Sequence, residues 1–204
     1  MFNNFVFDWS GTLSDDFGMC YEAGMKVLES FGVKRISEAE YVERFELPYP
    51  NYYRKLGVTA PKEELDKRFV TFMAGVKPKP VPGAAEVLEK LAIRKKRMAV
   101  LSAHPHEKLV AEASDYGFAG FFEKIVGSVG DKRVALPALV GELGWKKAET
   151  VFVGDHVHEI EAGRAAGIAT AVFPSKYSTY GLLEAAKPTY LLKSVDGLLD
   201  LAGE

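Results

Sequence analysis

The uninterrupted apolar run Phe5-Val6-Phe7, closed by Asp8 and followed by the small polar stretch Ser10-Gly11-Thr12, has the pattern of a strand covered on both faces that ends in a loop. The period then changes. Cys20, Gly24, Val27, Leu28 and Phe31 recur at helical spacing, and Gly32 supplies a stop. Ser37-Glu38-Ala39-Glu40 is a capping box that opens a short helix with Tyr41, Val42 and Phe45 on one face, interrupted by Pro48 and Pro50. Pro61 sits where a first helical turn tolerates proline, and Leu65, Phe69, Phe72, Met73 and Val76 form the stripe of the helix after it. Between these helices Tyr49, Tyr52, Tyr53, Arg54 and Lys55 fall in an irregular middle. There they either fill a small core or dimer contact, or face a substrate.

From Gly83 onward strands and helices alternate, the mark of a parallel sheet with helices on its faces. A helix near 83–95 uses Val87, Leu88 and Leu91. Strands are expected at Met98–Leu101, Lys124–Val126, Val151–Val153 and Ala169–Phe173, and Tyr190-Leu191-Leu192 helps close the domain. The fold class is therefore α/β: a Rossmann-like parallel sheet with helices on both faces, and a small helical domain inserted after the first strand. Residues 1–15 and 80–204 make the α/β core and residues 16–79 the helical insert. The proline-rich segment Lys77-Pro78-Lys79-Pro80-Val81-Pro82-Gly83 serves as its stiff return.

Composition narrows the function classes. A chain of 204 residues with 48% hydrophobic and 26% charged content and a net charge of −2 is a globular protein with no electrostatic reason to bind nucleic acid or an acidic membrane. The basic run Arg94-Lys95-Lys96-Arg97 reads as a solvated helix end. Cys20 is the single cysteine, which excludes an intrachain disulfide and a thiolate metal cluster and suits a reducing compartment. No apolar run approaches the ~18 residues of a membrane span, and no signal segment precedes the first strand, so a cytoplasmic location is expected.

The strand ends carry the chemistry. Asp8, Ser102 and Asp155 each close a buried run, Lys132 stands at a helix start, and Glu159 lies four residues beyond Asp155. Ligands bind at the carboxyl edge of open α/β sheets. Two acids from neighbouring strands suit a hard cation such as Mg2+, and a hydroxyl with an ammonium completes a phosphate cradle. A carboxylate beside a neutralised phosphoryl group is what aspartyl-phosphate chemistry requires.

In this order the residues Asp8-x-Ser10-Gly11-Thr12-Leu13, Ser102, Lys132 and Gly154-Asp155-x-x-x-Glu159 resemble the haloacid dehalogenase-like hydrolases over nearly the whole chain. The helical insert looks like the family's mobile cap. The stretches Pro82-Gly83-Ala84 and Val157–Gly163 look most like its phosphoglycolate phosphatase branch. The resemblance implies that Asp8 is the nucleophile and that Mg2+ is held by Asp8, the backbone carbonyl of Ser10 and Asp155, with Glu159 close to the metal or its waters. It implies further that Ser102 binds phosphate through its hydroxyl with the Ala103 amide beside it, that Lys132 balances the charge of Asp8 and phosphate, and that Gly11 and Thr12 shape the phosphate loop. The expected substrate is a small phosphorylated metabolite.

The chain departs from the family at Ser10, where its phosphatases carry a second aspartate as general acid and base. A hydroxyl does not replace that acid, and its loss typically costs ~10² to 10⁴ in rate. The resemblance leaves a slow phosphatase favouring good leaving groups, a longer-lived phosphoaspartate as in the ion-pumping ATPases with threonine here, and a phosphate-ligand binding or regulatory protein. Asp15 is the nearby acid that could substitute. A phosphonatase-like reaction, which uses a lysine of the cap, also stays open through Lys55, Lys62, Lys67, Lys77 and Lys79. His104, His106, His156 and His158 receive no assignment, and no histidine-bound metal is expected.

Overall fold

The computed structural model describes residues 1–46 and 48–203. In chain order β1 (Asn4–Phe7) and β2 (Ser14–Asp15) lead into α1 (Phe17–Ser30), α2 (Glu38–Arg44), α3 (Tyr49–Lys55) and α4 (Lys62–Phe72). Then come β3 (Lys79–Pro80), α5 (Ala84–Ile93), β4 (Arg97–Leu101), α6 (His106–Asp115), β5 (Lys124–Val126), α7 (Lys132–Glu142) and β6 (Thr150–Gly154). The described chain ends with α8 (Val157–Ala166), β7 (Ala169–Val172), α9 (Tyr180–Ala185), β8 (Tyr190–Leu191) and α10 (Leu198–Ala202). Two compact units result. One is Met1–Asp15 together with the chain from Lys79 onward, and the other is Asp16–Pro78.

The first unit is a six-stranded sheet in the order β5-β4-β1-β6-β7-β8, every neighbouring pair parallel. Its strands are apolar without alternation because both faces are covered. Phe5, Phe7, Met98, Val100, Val151 and Val153 point into one core, closed by Leu88 and Leu91 of α5, Leu109 of α6 and Leu198 of α10. Val6, Ala99, Leu101 and Phe152 point into the other, closed by Leu136 and Val140 of α7 and Ala162 and Ala166 of α8. The period of two along each strand thus divides one apolar run between two cores. The chain runs outward from β1 in both directions across the sheet, so β1 lies at the point where the strand order reverses, where ligands bind in such folds. β2 and β3 form a separate antiparallel ladder, Ser14 with Pro80 and Asp15 with Lys79, through which the chain leaves and rejoins this unit.

The second unit is helical. Ser37 accepts the Glu40 amide at 3.2 Å while Glu40 Oε2 accepts the Ser37 amide at 3.2 Å, the capping box expected from sequence. Pro48 and Pro50 do not leave an irregular stretch: Pro48 is the N-cap of α3 and Pro50 lies in its first turn, where a missing amide hydrogen costs nothing. Tyr52 and Tyr53 on that helix are buried, and Tyr41 meets Tyr21 and Tyr52 edge-on with ring centroids 5.6 and 5.7 Å apart. These rings fill the interior of the helical unit. The apolar stripe expected to run to Val76 ends with α4 at Phe72 and its cap Met73, and Val76 is exposed.

Candidate active site

Pairing of Phe7 with Val100 on one side and Val153 on the other sets the ends of β1, β4 and β6 level, and the Asp8 amide donates to the Val153 carbonyl at 2.8 Å. Asp8, Ser102 and Asp155 therefore leave the sheet at one edge, all buried. Lys132 is the first residue of α7, whose N-cap Asp131 accepts the Arg133 amide at 2.9 Å. Glu159 is the third residue of α8, and its Oε2 accepts the His156 amide at 2.9 Å. Two glycines make room for these acids. A Cβ on Gly154 would overlap the Glu159 side chain, and one on Gly11, whose φ is +73°, would overlap Asp155 and Tyr177.

Lys132 Nζ lies 2.8 Å from Asp8 Oδ1 and donates to Glu159 Oε1 at 2.7 Å, with all three side chains buried. Burial alone would strip its proton, but Asp8 and Glu159 outweigh that cost and raise its pKa. Burial raises the pKa of Asp8, against the opposing pull of Lys132 and with reinforcement from Glu159. Burial also raises Asp155 well above the usual carboxylate range, and the charges of Glu159 and Asp8 add to it, while hydrogen bonds from Ser175 and Thr12 act against it. Thr12 Oγ1 donates to Asp155 Oδ1 at 3.0 Å, and the Ser175 hydroxyl donates to Oδ2.

Asp8, Asp155 and Glu159 each offer an oxygen, all within 4.8 Å of one another. Three buried carboxyl groups lie together and one ammonium pairs with two of them, a crowding of acids that a hard divalent cation with oxygen ligands relieves. The donor set therefore fits a divalent metal that takes oxygen ligands.

Ser102 Oγ accepts the His104 amide at 3.2 Å and Ala103 is half-buried beside it. Ser10 is also half-buried, and its Oγ lies 3.4 Å from His104 Nδ1. His104 Nε2 is 3.2 Å from Glu112 Oε1, and the indole N–H of Trp9 donates to Glu112 Oε2 at 2.7 Å. Sequence reasoning left His104 unassigned and did not single out Glu112. The available signal was an acid on the apolar face of α6, three residues from Leu109 and one from Ala113, both fully buried. Asp15 is exposed and lies 3.3 Å from Lys176 Nζ in an ion pair. His106 Nδ1 accepts the Gly127 amide at 3.3 Å, and the His156 ring accepts the His158 amide at 3.4 Å, so these rings do the work of loop and helix caps.

A family model described as haloacid dehalogenase-like hydrolase matches residues 5–173. The phosphoglycolate phosphatase of Synechococcus elongatus is 26% identical over 199 residues, covering 95% of this chain and 94% of that protein. The pyrophosphatase PpaX of Halalkalibacterium halodurans is 24% identical over 212 residues, covering 98% of this chain and 97% of its own. A haloacid dehalogenase-like family hydrolase from Streptococcus pneumoniae shares the fold with a TM-score of 0.85 at 15% identity, over 99% of each chain. The family match begins within β1, which delivers Asp8, and runs just past β7, so it takes in every strand end and helix start that carries the site: the chain belongs to the haloacid dehalogenase-like hydrolases.

Proposed function

We propose that this chain is a Mg2+-dependent phosphatase that hydrolyses a small phosphorylated metabolite through a phosphoaspartate on Asp8. The observation that carries the reading is the convergence of Asp8, Asp155 and Glu159 at the sheet edge, with Lys132 paired to Asp8 and Glu159 and Ser102 leaving the same edge. Relatives named as a phosphoglycolate phosphatase and a pyrophosphatase, both of which cleave phosphorus–oxygen bonds, support it.

In this reading Asp8, Asp155 and Glu159 would hold the cation, which when bound supplies positive charge against the phosphate oxygens and the clustered carboxylates. The Lys132 ammonium 2.8 Å away favours the ionised form of Asp8, the form that would attack phosphorus. The ester P–O bond breaks and the alcohol leaves with a proton. Water then attacks phosphorus, the bond to Asp8 breaks, and phosphate departs with the Asp8 carboxylate restored. Ser102 contributes its hydroxyl to the phosphate.

Purified protein with Mg2+ should release phosphate from 4-nitrophenyl phosphate, and Asp8→Asn should fall to the rate without protein. Ser10, in place of an acid, favours a second reading, a phosphate-ligand binding protein with little turnover. Phosphate binding by a wild-type protein no faster than Asp8→Asn is the result that would establish this second reading and end the first.

A further inference from the structure

We infer that Ser10, His104 and Glu112 form a proton relay that supplies the acid and base missing at residue 10. The inference rests on the proposed hydrolysis and adds to it the route of the proton.

The chain of contacts runs Trp9 Nε1 to Glu112 Oε2 at 2.7 Å, Glu112 Oε1 to His104 Nε2 at 3.2 Å, and His104 Nδ1 to Ser10 Oγ at 3.4 Å. A carboxylate can only accept, so Nε2 of His104 carries a hydrogen and the Nδ1 side is left facing Ser10. The His104 side chain is 1% exposed and that of Glu112 11%, which shields the pair from bulk water and holds the ring in one orientation. The indole N–H occupies the other oxygen of Glu112, so the carboxylate is fixed at both ends. At the outer end Ser10 is half-buried, in the same loop as Asp8 and two residues after it. The 3.4 Å separation is long, as catalytic hydrogen bonds often are before substrate closes on them. A buried acid, an imidazole and a hydroxyl in series are the components that let a hydroxyl give up or take a proton near neutral pH.

The protons balance over the two halves of the reaction. First, a bond forms between Asp8 and phosphorus and the ester P–O bond breaks. The departing oxygen takes the Ser10 hydroxyl proton while Ser10 Oγ takes the Nδ1 proton of a His104 imidazolium, leaving the ring neutral. Next, a water oxygen bonds to phosphorus and the bond to Asp8 breaks. One water proton passes to Ser10 Oγ, and the serine proton returns to Nδ1 of His104. Ester and water become alcohol and phosphate, and no other reactant is required. Ser10 touches the reacting atoms, while His104 and Glu112 act through it as positioning residues.

The test compares two esters of similar size, benzyl phosphate, whose alkoxide needs a proton to leave, and 4-nitrophenyl phosphate, whose phenolate does not. His104→Gln and Glu112→Gln should each lower kcat/KM on benzyl phosphate by ~10²-fold and change kcat/KM on 4-nitrophenyl phosphate by less than ~3-fold, because kcat/KM ends at release of the alcohol or phenolate, while kcat falls on both esters wherever phosphoaspartate hydrolysis, which needs the same base, is limiting. Retained kcat/KM on the aryl ester also reports a folded variant. Ser10→Asp added to His104→Gln should restore benzyl phosphate hydrolysis, because the carboxyl then acts without the ring. Equal losses of kcat/KM on both esters would mark the pair as a structural prop and overturn the relay, as would an unchanged kcat/KM on benzyl phosphate. A wild-type protein that hydrolyses neither ester would remove the proposed phosphatase reaction itself, and the relay with it.

Discussion

Two buried polar clusters flank the loop after β1, and they are built on opposite electrostatic plans. Asp8, Asp155 and Glu159 lie together, the ammonium of Lys132 pairs with Asp8 and Glu159, and burial drives the pKa values of Asp8 and Asp155 upward. Around Ser10, the indole of Trp9, the carboxylate of Glu112 and the ring of His104 partner one another in sequence. The first cluster crowds three carboxyl groups beside one lysine, an arrangement that a divalent cation would relieve. The second links a donor, a carboxylate, an imidazole and a hydroxyl in series, which is the arrangement of a device that moves a proton and returns to its starting state. Burial bears on the two differently: the first sets like-charged acids side by side, and the second joins unlike groups through hydrogen bonds.

The sharpest way to break this contrast is to remove Lys132. Lys132→Met should cost about 3 kcal/mol or more in urea unfolding without divalent ions, because a buried pair that loses one partner strands the other charge. Phosphate release should also be lost. Mg2+ should return part of the lost stability, and a variant as stable as wild type would show that the carboxylates do not depend on the ammonium. Next in size, Mg2+ at ~100 times its Kd should stabilise wild-type protein by about 2.7 kcal/mol and raise Tm by roughly 5–10 °C. Asp155→Asn should remove most of that rise, and a wild-type Tm indifferent to millimolar Mg2+ would end the cation reading. The smallest effect is expected in the cluster around Glu112, where Trp9→Phe leaves Glu112 Oε2 without the indole donor and should cost about 1–3 kcal/mol, independent of Mg2+. A loss of Mg2+ stabilisation in Trp9→Phe would show that the two clusters are one.

Much of the architecture was legible in the chain. The runs Phe5-Val6-Phe7, Met98–Leu101 and Val151–Val153 are too apolar and too short to be anything but doubly covered strands, and each lies within a central strand of the sheet. The capping box at Ser37 was legible for the same kind of reason, since both reciprocal bonds are local. Helix α3 was not, because prolines read as interruptions also serve at the first turn, and only the chain direction around Pro48 and Pro50 distinguishes the two. The two-residue strands β2, β3 and β8 have no periodicity to read. Within the site, Asp8, Asp155, Glu159 and Lys132 were recognisable by spacing, and the structure brings them together. Thr12 and Ser175 donating to Asp155, and Glu112 closing on His104, join residues 143, 20 and 8 positions apart in sequence, and no local pattern encodes those meetings.

What the amino-acid order settled by itself is the periodic part: which segments are strands or helices, and that acids and a hydroxyl close the strands, because side-chain period and turn chemistry act over a few residues. What only the folded chain decided is which polar groups face each other and how their charges add. Those depend on parallel register between segments far apart in sequence, and on burial, which turns three carboxylates and one lysine into a site and a serine, a histidine and a glutamate into a relay.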